Sequence, residues 1–490
     1  MDAPPERSAE STPPGTGAAD VPPGAPAETA PAEVAVVGAG LVGCLTACFL
    51  ARRGHAVTLY ERRPDPREAG AERGRSINLA ISERGLDALR RVGLDETVLK
   101  AALPMPGRMM HAADGTLSFQ PYSADGRRAI NSISRSALNR TLLEAVDALP
   151  GTRLRFRHRL SALDPDTGAM EFATHGGTVT AVSPVILGAD GAGSAVRAQL
   201  QTRPGFDLHQ EYLDYGYKEL TIPARGGDFA LDPGALHIWP RGRSMMIALP
   251  NPDRSFTCTL FWPHRQLTAL DTPEKVTAHF AEHYPDARAL IPDLAADYAL
   301  NPIGHLVTVR CAPWTVRGRA AMVGLIGDAA HAIVPFYGQG ANCGFEDCVE
   351  LDRCLAETGD DYAAALALYE SRRKVNADTI ARLALDNFVE MRDKVASRAF
   401  LARKRAEHAL ERALPGRYVS RYELISFSTV PYADVERRMA RQRRWTAAAT
   451  LTGTLTAAGA ALGAGALLRR WRGPVTPAAR SRGSRPAGRR

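Results

Sequence analysis

Glycines at the start of a helical pattern recur in this chain beside a carboxylate that ends an apolar run. Residues 323–347 read VGLIGDAAHAIVPFYGQGANCGFED. The apolar run stops at Gly327 and Asp328, and Gly338, Gly340 and Gly344 then lead into a helical pattern. A carboxylate at a strand's end suits a sugar-type hydroxyl, and bare glycine amides at a helix N-terminus suit a group that carries or develops negative charge. A flavin offers both, through its ribitol hydroxyls and an N1/O2 edge that becomes anionic on reduction. A plain strand–loop–helix with glycines for turning would look the same in isolation, so the reading requires an adenine-binding half elsewhere.

Residues 33–61 supply it. An apolar run over 34–37 meets Gly38-x-Gly40-x-x-Gly43, then a helical pattern through Leu45, Cys48 and Phe49, then a second apolar run over 56–60 ending at Glu61. Strand, glycine turn, helix, strand and acid at this spacing form the dinucleotide fingerprint, with the acid placed for a ribose 2′-hydroxyl. NAD and FAD share the ADP half, so both stay open here. A further apolar run, 185–187, leads into Gly188-x-Asp190-Gly191-x-Gly193-Ser194-x-x-Arg197, a second carboxylate-and-glycine turn of the kind where ligands collect in open α/β sheets.

Other segments must shape whatever meets the cofactor. Arg108 lies among Met105, Met109 and Met110, where it reads either as a snorkelling surface residue or as a planar fork awaiting a carboxylate. Tyr122 follows a turn, and Arg135 opens an amphipathic helix through Leu138, Leu142, Leu143 and Val146. From 206 to 310 the texture is β, predicting an antiparallel sheet as one wall of a pocket. After 361 the pattern is helical to about 413 and carries Asn387 and Met391; Tyr418 and Tyr422 come next.

The three nucleotide signatures in this order resemble the single-component aromatic hydroxylases that use FAD and NADPH. The stretches RGRSINLAIS, HIWPRG, MMIALPN, SFTCTLFWP, GDAAHAIVPFYGQG and GFEDC are similar, segment by segment from about 33 to 445, to the kynurenine 3-monooxygenase family. That resemblance implies hydroxylation of L-kynurenine at ring position 3 with NADPH and O2, through a flavin C4a-hydroperoxide, with no obligatory catalytic side chain. It implies substrate contacts at Arg108, Tyr122, Asn387 and Tyr422. Cofactor contacts are implied at Gly38, Gly40, Val42, Gly43, Glu61, Arg63, Ala80, Arg135, Leu160, Asp190, Asp328, Gly340, Ala341 and Asn342. Two departures lie beside the flavin motif: Ala341 where the family usually has methionine, and Cys343 where a smaller residue is common.

The implied fold is α/β. A Rossmann-like FAD-binding domain spans 31–205 and 305–360, and a smaller antiparallel substrate-domain sheet spans 206–304 with 106–130 contributing. A helical region over 361–444 closes the substrate pocket, between a disordered leader at 1–30 and a basic disordered tail at 469–490. Two other classes remain: a flavin hydroxylase of another aromatic acid, and a non-catalytic membrane-tethered flavoprotein. A flavin-dependent halogenase would need a WxWxIP-type segment, which the sequence lacks.

Composition sets the outer bounds. The formal charge is +8, but residues 469–490 hold eight arginines and no acid, so the remainder is neutral and gives no argument for nucleic acid. Seven cysteines without a CxxC pair or a cluster with histidine indicate a reduced, intracellular protein without a metal site. Residues 445–468 are 24 in number, uncharged and flanked by arginines, long enough to span a bilayer yet rich in Ala, Gly and Thr. Membrane association and a surface helix are both open readings of that segment.

Overall fold

The computed structural model describes residues 33–68, 78–123, 125–393, 406–407 and 409–446. The leader, the tail and all but Trp445 and Thr446 of the uncharged segment lie outside these residues. Every side chain of Val34–Val37 and Val57–Glu61 is buried, which suits strands inside a sheet covered on both faces. They are central in a six-stranded sheet ordered Thr315–Arg317, Met322–Leu325, Val185–Gly188, Val34–Val37, Val57–Glu61, Thr152–Phe156. All pairs are parallel except the Thr315–Arg317 edge. Helix Leu41–Arg52 buries Cys44, Leu45, Cys48 and Phe49 in the core around this sheet. Val37 pairs with Gly188 and Gly188 with Leu325, so the three glycine turns open side by side at the carboxyl ends of adjacent parallel strands.

A second, seven-stranded sheet runs Gly304–Ala312, Asp207–Ile222, Phe256–Pro263, Ser244–Pro250, Ala235–Arg241, Gly107–His111, Leu117–Pro121. Its pairs are antiparallel except the parallel join of Gly107–His111 to Ala235–Arg241. That join sets Arg108 opposite Leu236 on one side and Gln120 on the other.

The β texture expected over 206–310 is corrected at 264–300, where helices His264–Ala269, Pro273–His283, Pro285–Arg288 and Leu294–Leu300 cover the sheet. The local cause is legible in Pro273–His283. Thr272 accepts the amide of Lys275, Pro273 occupies the first turn, and Val276 and Phe280, one turn apart, are both buried. Phe280, Tyr284 and Tyr298 from this stretch pack in a core with Trp239 and Trp262 of the sheet. Helix Tyr362–Asp393, 32 residues long, then packs beside helix Gly340–Thr358. Among the described residues no helix is long and apolar enough to cross a membrane.

Candidate flavin and substrate site

The three glycines of the first turn have different surroundings. Gly38 has φ +104°, and a Cβ on it would lie 2.6 Å from the Ala189 oxygen; one on Gly43 would lie 1.9 Å from the Gly38 oxygen. Both are required by backbone packing. Gly40 faces open space, with nothing within 4 Å of an added Cβ. The amide of Cys44 donates to the Gly40 oxygen at 2.9 Å, so the amides before it are the unpaired first turn of the helix, turned toward that space. Glu61 stands at the end of the neighbouring strand. Its carboxylate accepts from the Ala39 amide at 3.1 Å, the Arg63 amide at 3.0 Å and Arg63 Nε at 2.9 Å. Burial acts to raise its pKa, but these partners outweigh it and hold the carboxyl below its ordinary range. An ionised carboxylate has lone pairs to spare for a ribose hydroxyl.

Val42 ties this turn to the other flavin stretch, lying 3.1 Å from a Cβ built on Gly327 and 2.5 Å from one built on Gly344. Helix Gly340–Thr358 begins beside it; Cys343 is the first to donate back, to the Gln339 oxygen at 2.7 Å, leaving the amides of Gly340, Ala341 and Asn342 at the opening. The Asn342 side chain is engaged: Oδ1 accepts from the Ser82 amide at 3.0 Å, and Nδ2 donates to the Ala80 and Gly338 oxygens at 2.9 and 2.7 Å. Asn342 thus holds the Ala80 strand against the GQG turn. Asp328 is half-buried; burial first raises its pKa, against the opposing charges of Arg135 and His331.

Two expected contacts sit differently. Asp190 accepts from Ser194 Oγ and from the amides of Ala195 and Val196, so its carboxylate caps the following helix. Leu160 belongs to the core of the nucleotide domain and pairs with Phe172 in an antiparallel ladder. Arg63 is largely exposed beyond Glu61, Ala341 is half-buried, and the Cys343 thiol is buried.

Three of the four residues expected to hold substrate, Arg108, Tyr122 and Tyr422, lie together beside the second sheet. Tyr122 and Tyr422 stack with ring centroids 4.8 Å apart, and the Arg108 guanidinium carbon lies 5.5 Å from each ring. Tyr337 flanks Tyr422 at 6.0 Å. Arg108 is half-buried, and no carboxylate lies within ion-pair distance of it among the described residues. Burial, then the charge and hydrogen bond of Tyr422, hold the Tyr122 hydroxyl well above its ordinary pKa against the opposing Arg108 charge, so it stays a donor. Asn387 Nδ2 donates to the Phe336 oxygen at 2.7 Å, fixing the long helix to the loop before the GQG turn. Ala80, expected beside the cofactor, and Tyr122 and Tyr422, expected beside the substrate, share one apolar cluster with Met105, Ile130 and Leu249.

Sequence reasoning missed a buried ionic network behind this site. Asp347 accepts from the Gly327 amide at 3.1 Å and from Arg373 Nε at 2.7 Å, and pairs with His331 at 2.6 Å. Burial opposes both charges, yet Asp347 is held below its ordinary range and His331 well above its own by their mutual attraction. Glu346 bridges Arg373 at 2.6 Å and Arg84 at 2.5 Å. Asp347 closes the GFED stretch and could have been singled out; Arg84 and Arg373 sit in ordinary helical patterns with no local signal. His331, Cys343 and Asp347 bring one donor atom each to within 4.8 Å of one another, the spacing of a cation site. Arg373 already fills that role, since its guanidinium contacts both the Asp347 carboxylate and the Cys343 sulfur.

An FAD fits what these residues leave open: a bare glycine cradle at Gly40, a ribose acceptor at Glu61 and a second helix N-terminus at Gly340. A family model described as an FAD binding domain matches residues 31–384. Kynurenine 3-monooxygenase of Myxococcus xanthus is 51% identical over 405 residues, 81% of this chain and 86% of that protein. Its counterpart from Sus scrofa is 40% identical over 84% of this chain and 87% of that protein. The solved structure of 2-methyl-3-hydroxypyridine-5-carboxylic acid oxygenase superposes with a TM-score of 0.60 at 21% identity, covering 76% of this chain and 96% of that one, a likeness of fold. With FAD as its cofactor, the chain belongs to the kynurenine 3-monooxygenase family of FAD-dependent monooxygenases.

Proposed function

We propose that this protein hydroxylates L-kynurenine to 3-hydroxy-L-kynurenine with NADPH and O2. The observation that carries the reading is Arg108, a half-buried cation beside the stacked pair of Tyr122 and Tyr422, with no acidic partner among the described residues. A planar guanidinium suits the carboxylate of an amino acid, and the tyrosine hydroxyls and Asn387 suit its remaining polar atoms. When bound, FAD supplies the redox chemistry, taking electrons from NADPH and passing oxygen from O2 to the aromatic ring.

The chain's own residues then have three tasks. Glu61, Gly40 and the amides before Asn342 hold the cofactor, and Arg108, Tyr122, Asn387 and Tyr422 orient the substrate so that the carbon ortho to its aniline nitrogen faces the ring. The aniline nitrogen supplies the electron density, so no side chain need remove a proton before oxygen transfer. Water exclusion falls to the aromatic wall of Tyr215, Phe261, Phe336 and Phe388, which pack as one apolar cluster. The test is NADPH oxidation by the purified holoenzyme with L-kynurenine and with other aromatic acids. The reading expects selective stimulation by L-kynurenine; equal or greater stimulation by another acid would favour a different hydroxylase.

We infer further that residues 445–468 associate with membranes, on the strength of their uncharged length and the arginines on both sides. Fractionating cells that express the full chain tests this; recovery wholly in the soluble fraction at low salt contradicts it.

A further inference from the structure

We propose that Arg84 is a positioning residue that fixes the Tyr422-bearing segment to the flavin wall, so that the substrate site closes in register with the cofactor. The proposal rests on the kynurenine reading above. Arg84 touches none of the residues assigned to flavin or substrate contact, yet it is 1% exposed and all three of its nitrogens are used. Nε donates to the Ile425 oxygen at 3.1 Å, one terminal nitrogen donates to Glu346 at 2.5 Å, and the other donates to the Val430 oxygen. The guanidinium face lies 3.9 Å over the ring of Tyr432, whose hydroxyl donates to Gln339 Oε1 at 3.0 Å.

Each partner has a place in the site. Ile425 is in helix Arg421–Ser426, which carries Tyr422 one turn earlier, and its carbonyl lies in the final turn, where helical partners run out. Val430 and Tyr432 lie on the chain that follows. On the other side, Arg84 is the second residue of helix Glu83–Arg91, and Ser82 just before it donates its amide to Asn342. Glu346 lies on helix Gly340–Thr358, whose N-terminus opens on the flavin site. One rigid fork therefore spans the cofactor wall and the segment that stacks Tyr422 on Tyr122. Lysine keeps the charge but cannot direct three donors at fixed angles.

The test compares wild type, Arg84→Lys and Arg84→Gln as full-length FAD-loaded enzymes. FAD content, KM for L-kynurenine, kcat, and the ratio of hydroxylated product to hydrogen peroxide are measured in each. In uncoupled turnover NADPH, H+ and O2 give NADP+ and hydrogen peroxide, so lost positioning shifts that ratio toward peroxide. Both variants should retain FAD, raise KM roughly tenfold or more and release more peroxide, because misplacement by about 1 Å can cost up to about a hundredfold. If activity falls only in step with FAD content while KM and the product ratio of the remaining holoenzyme stay at wild type, Arg84 is core packing and the proposal fails. Tyr432→Leu removes the ring beneath the guanidinium and leaves every charge in place, so it carries the test if the Arg84 variants do not accumulate. The same KM shift there supports the strut and an unchanged KM overturns it. Absence of 3-hydroxykynurenine from wild-type reactions would overturn the substrate reading, and the strut with it.

Discussion

Arg108 illustrates how little a single residue says before its neighbours are known. Its methionine-rich surroundings also fitted a snorkelling surface residue; only the fold shows it beside the Tyr122–Tyr422 stack, with no acid paired to it among the described residues. Arg108→Ala should raise KM for L-kynurenine at least about tenfold with FAD still bound, since losing one partner of a buried charged pair costs about 2–5 kcal/mol. Unchanged kinetics would remove Arg108 from the site. Glu61→Ala and Asp328→Ala should instead weaken flavin retention, read as absorbance per protein after gel filtration. A variant that kept full flavin yet lost hydroxylation would give that carboxylate a chemical role. His237 sets an acid limit on the fold. It is buried, accepts from His111 and donates to the Asp232 oxygen, and burial first lowers its pKa from 6.5 to about 4. A depressed folded pKa means protonation favours unfolding, so the stability held above pH 6.5 is lost as pH falls toward 4, by about 3 kcal/mol at most. Tm measured across that window should fall on acidification, and His237→Asn should flatten the slope; an unaltered slope would assign the acid sensitivity to other groups.

The glycine turns show the same division between packing and binding at the level of elements. Gly40→Val should leave the fold intact and expel the cofactor, because its side chain would enter space that no protein atom fills, whereas Gly43→Ala should impair folding itself. Far-ultraviolet circular dichroism and flavin absorbance on the two variants separate these outcomes; equal flavin content in Gly40→Val and wild type would remove the phosphate from that turn. The order of strand, turn, helix and acid was legible in the sequence because apolar periodicity and glycine spacing are local. The helices over 264–300 were not, because their aromatic residues serve a core shared with Trp239 and Trp262, and only the Thr272–Pro273 cap betrayed one of them, Pro273–His283. The capping use of Asp190 and the engaged side chain of Asn342 were hidden for a related reason. A DG or GQGxN motif specifies a backbone path, and which donors fill each oxygen depends on the next element. The Arg84–Glu346–Arg373–Asp347 chain was least legible, since it joins residues 84 and 347 with no sequence signature between them.

At the scale of the whole molecule, the seven-stranded sheet, the loop before the GQG turn and the long helix meet in one cluster through Phe261, Phe336 and Phe388, and the residues assigned to the site end at Tyr422. The site should therefore not depend on the last residues of the chain. Truncation after Arg444 should give an enzyme that binds FAD and turns over like the full chain; loss of flavin on truncation would show that the C-terminal residues support the fold. The central claim is that one chain joins a flavin cradle to an amino-acid anchor so that oxygen reaches a defined ring carbon. Its most direct test is the product stoichiometry of the full-length holoenzyme supplied with NADPH, O2 and L-kynurenine. NADPH oxidation should accelerate on adding L-kynurenine, and 3-hydroxy-L-kynurenine should accumulate close to one for each NADPH consumed. NADPH consumed at an unchanged rate, with hydrogen peroxide as the only oxygen product, would contradict it.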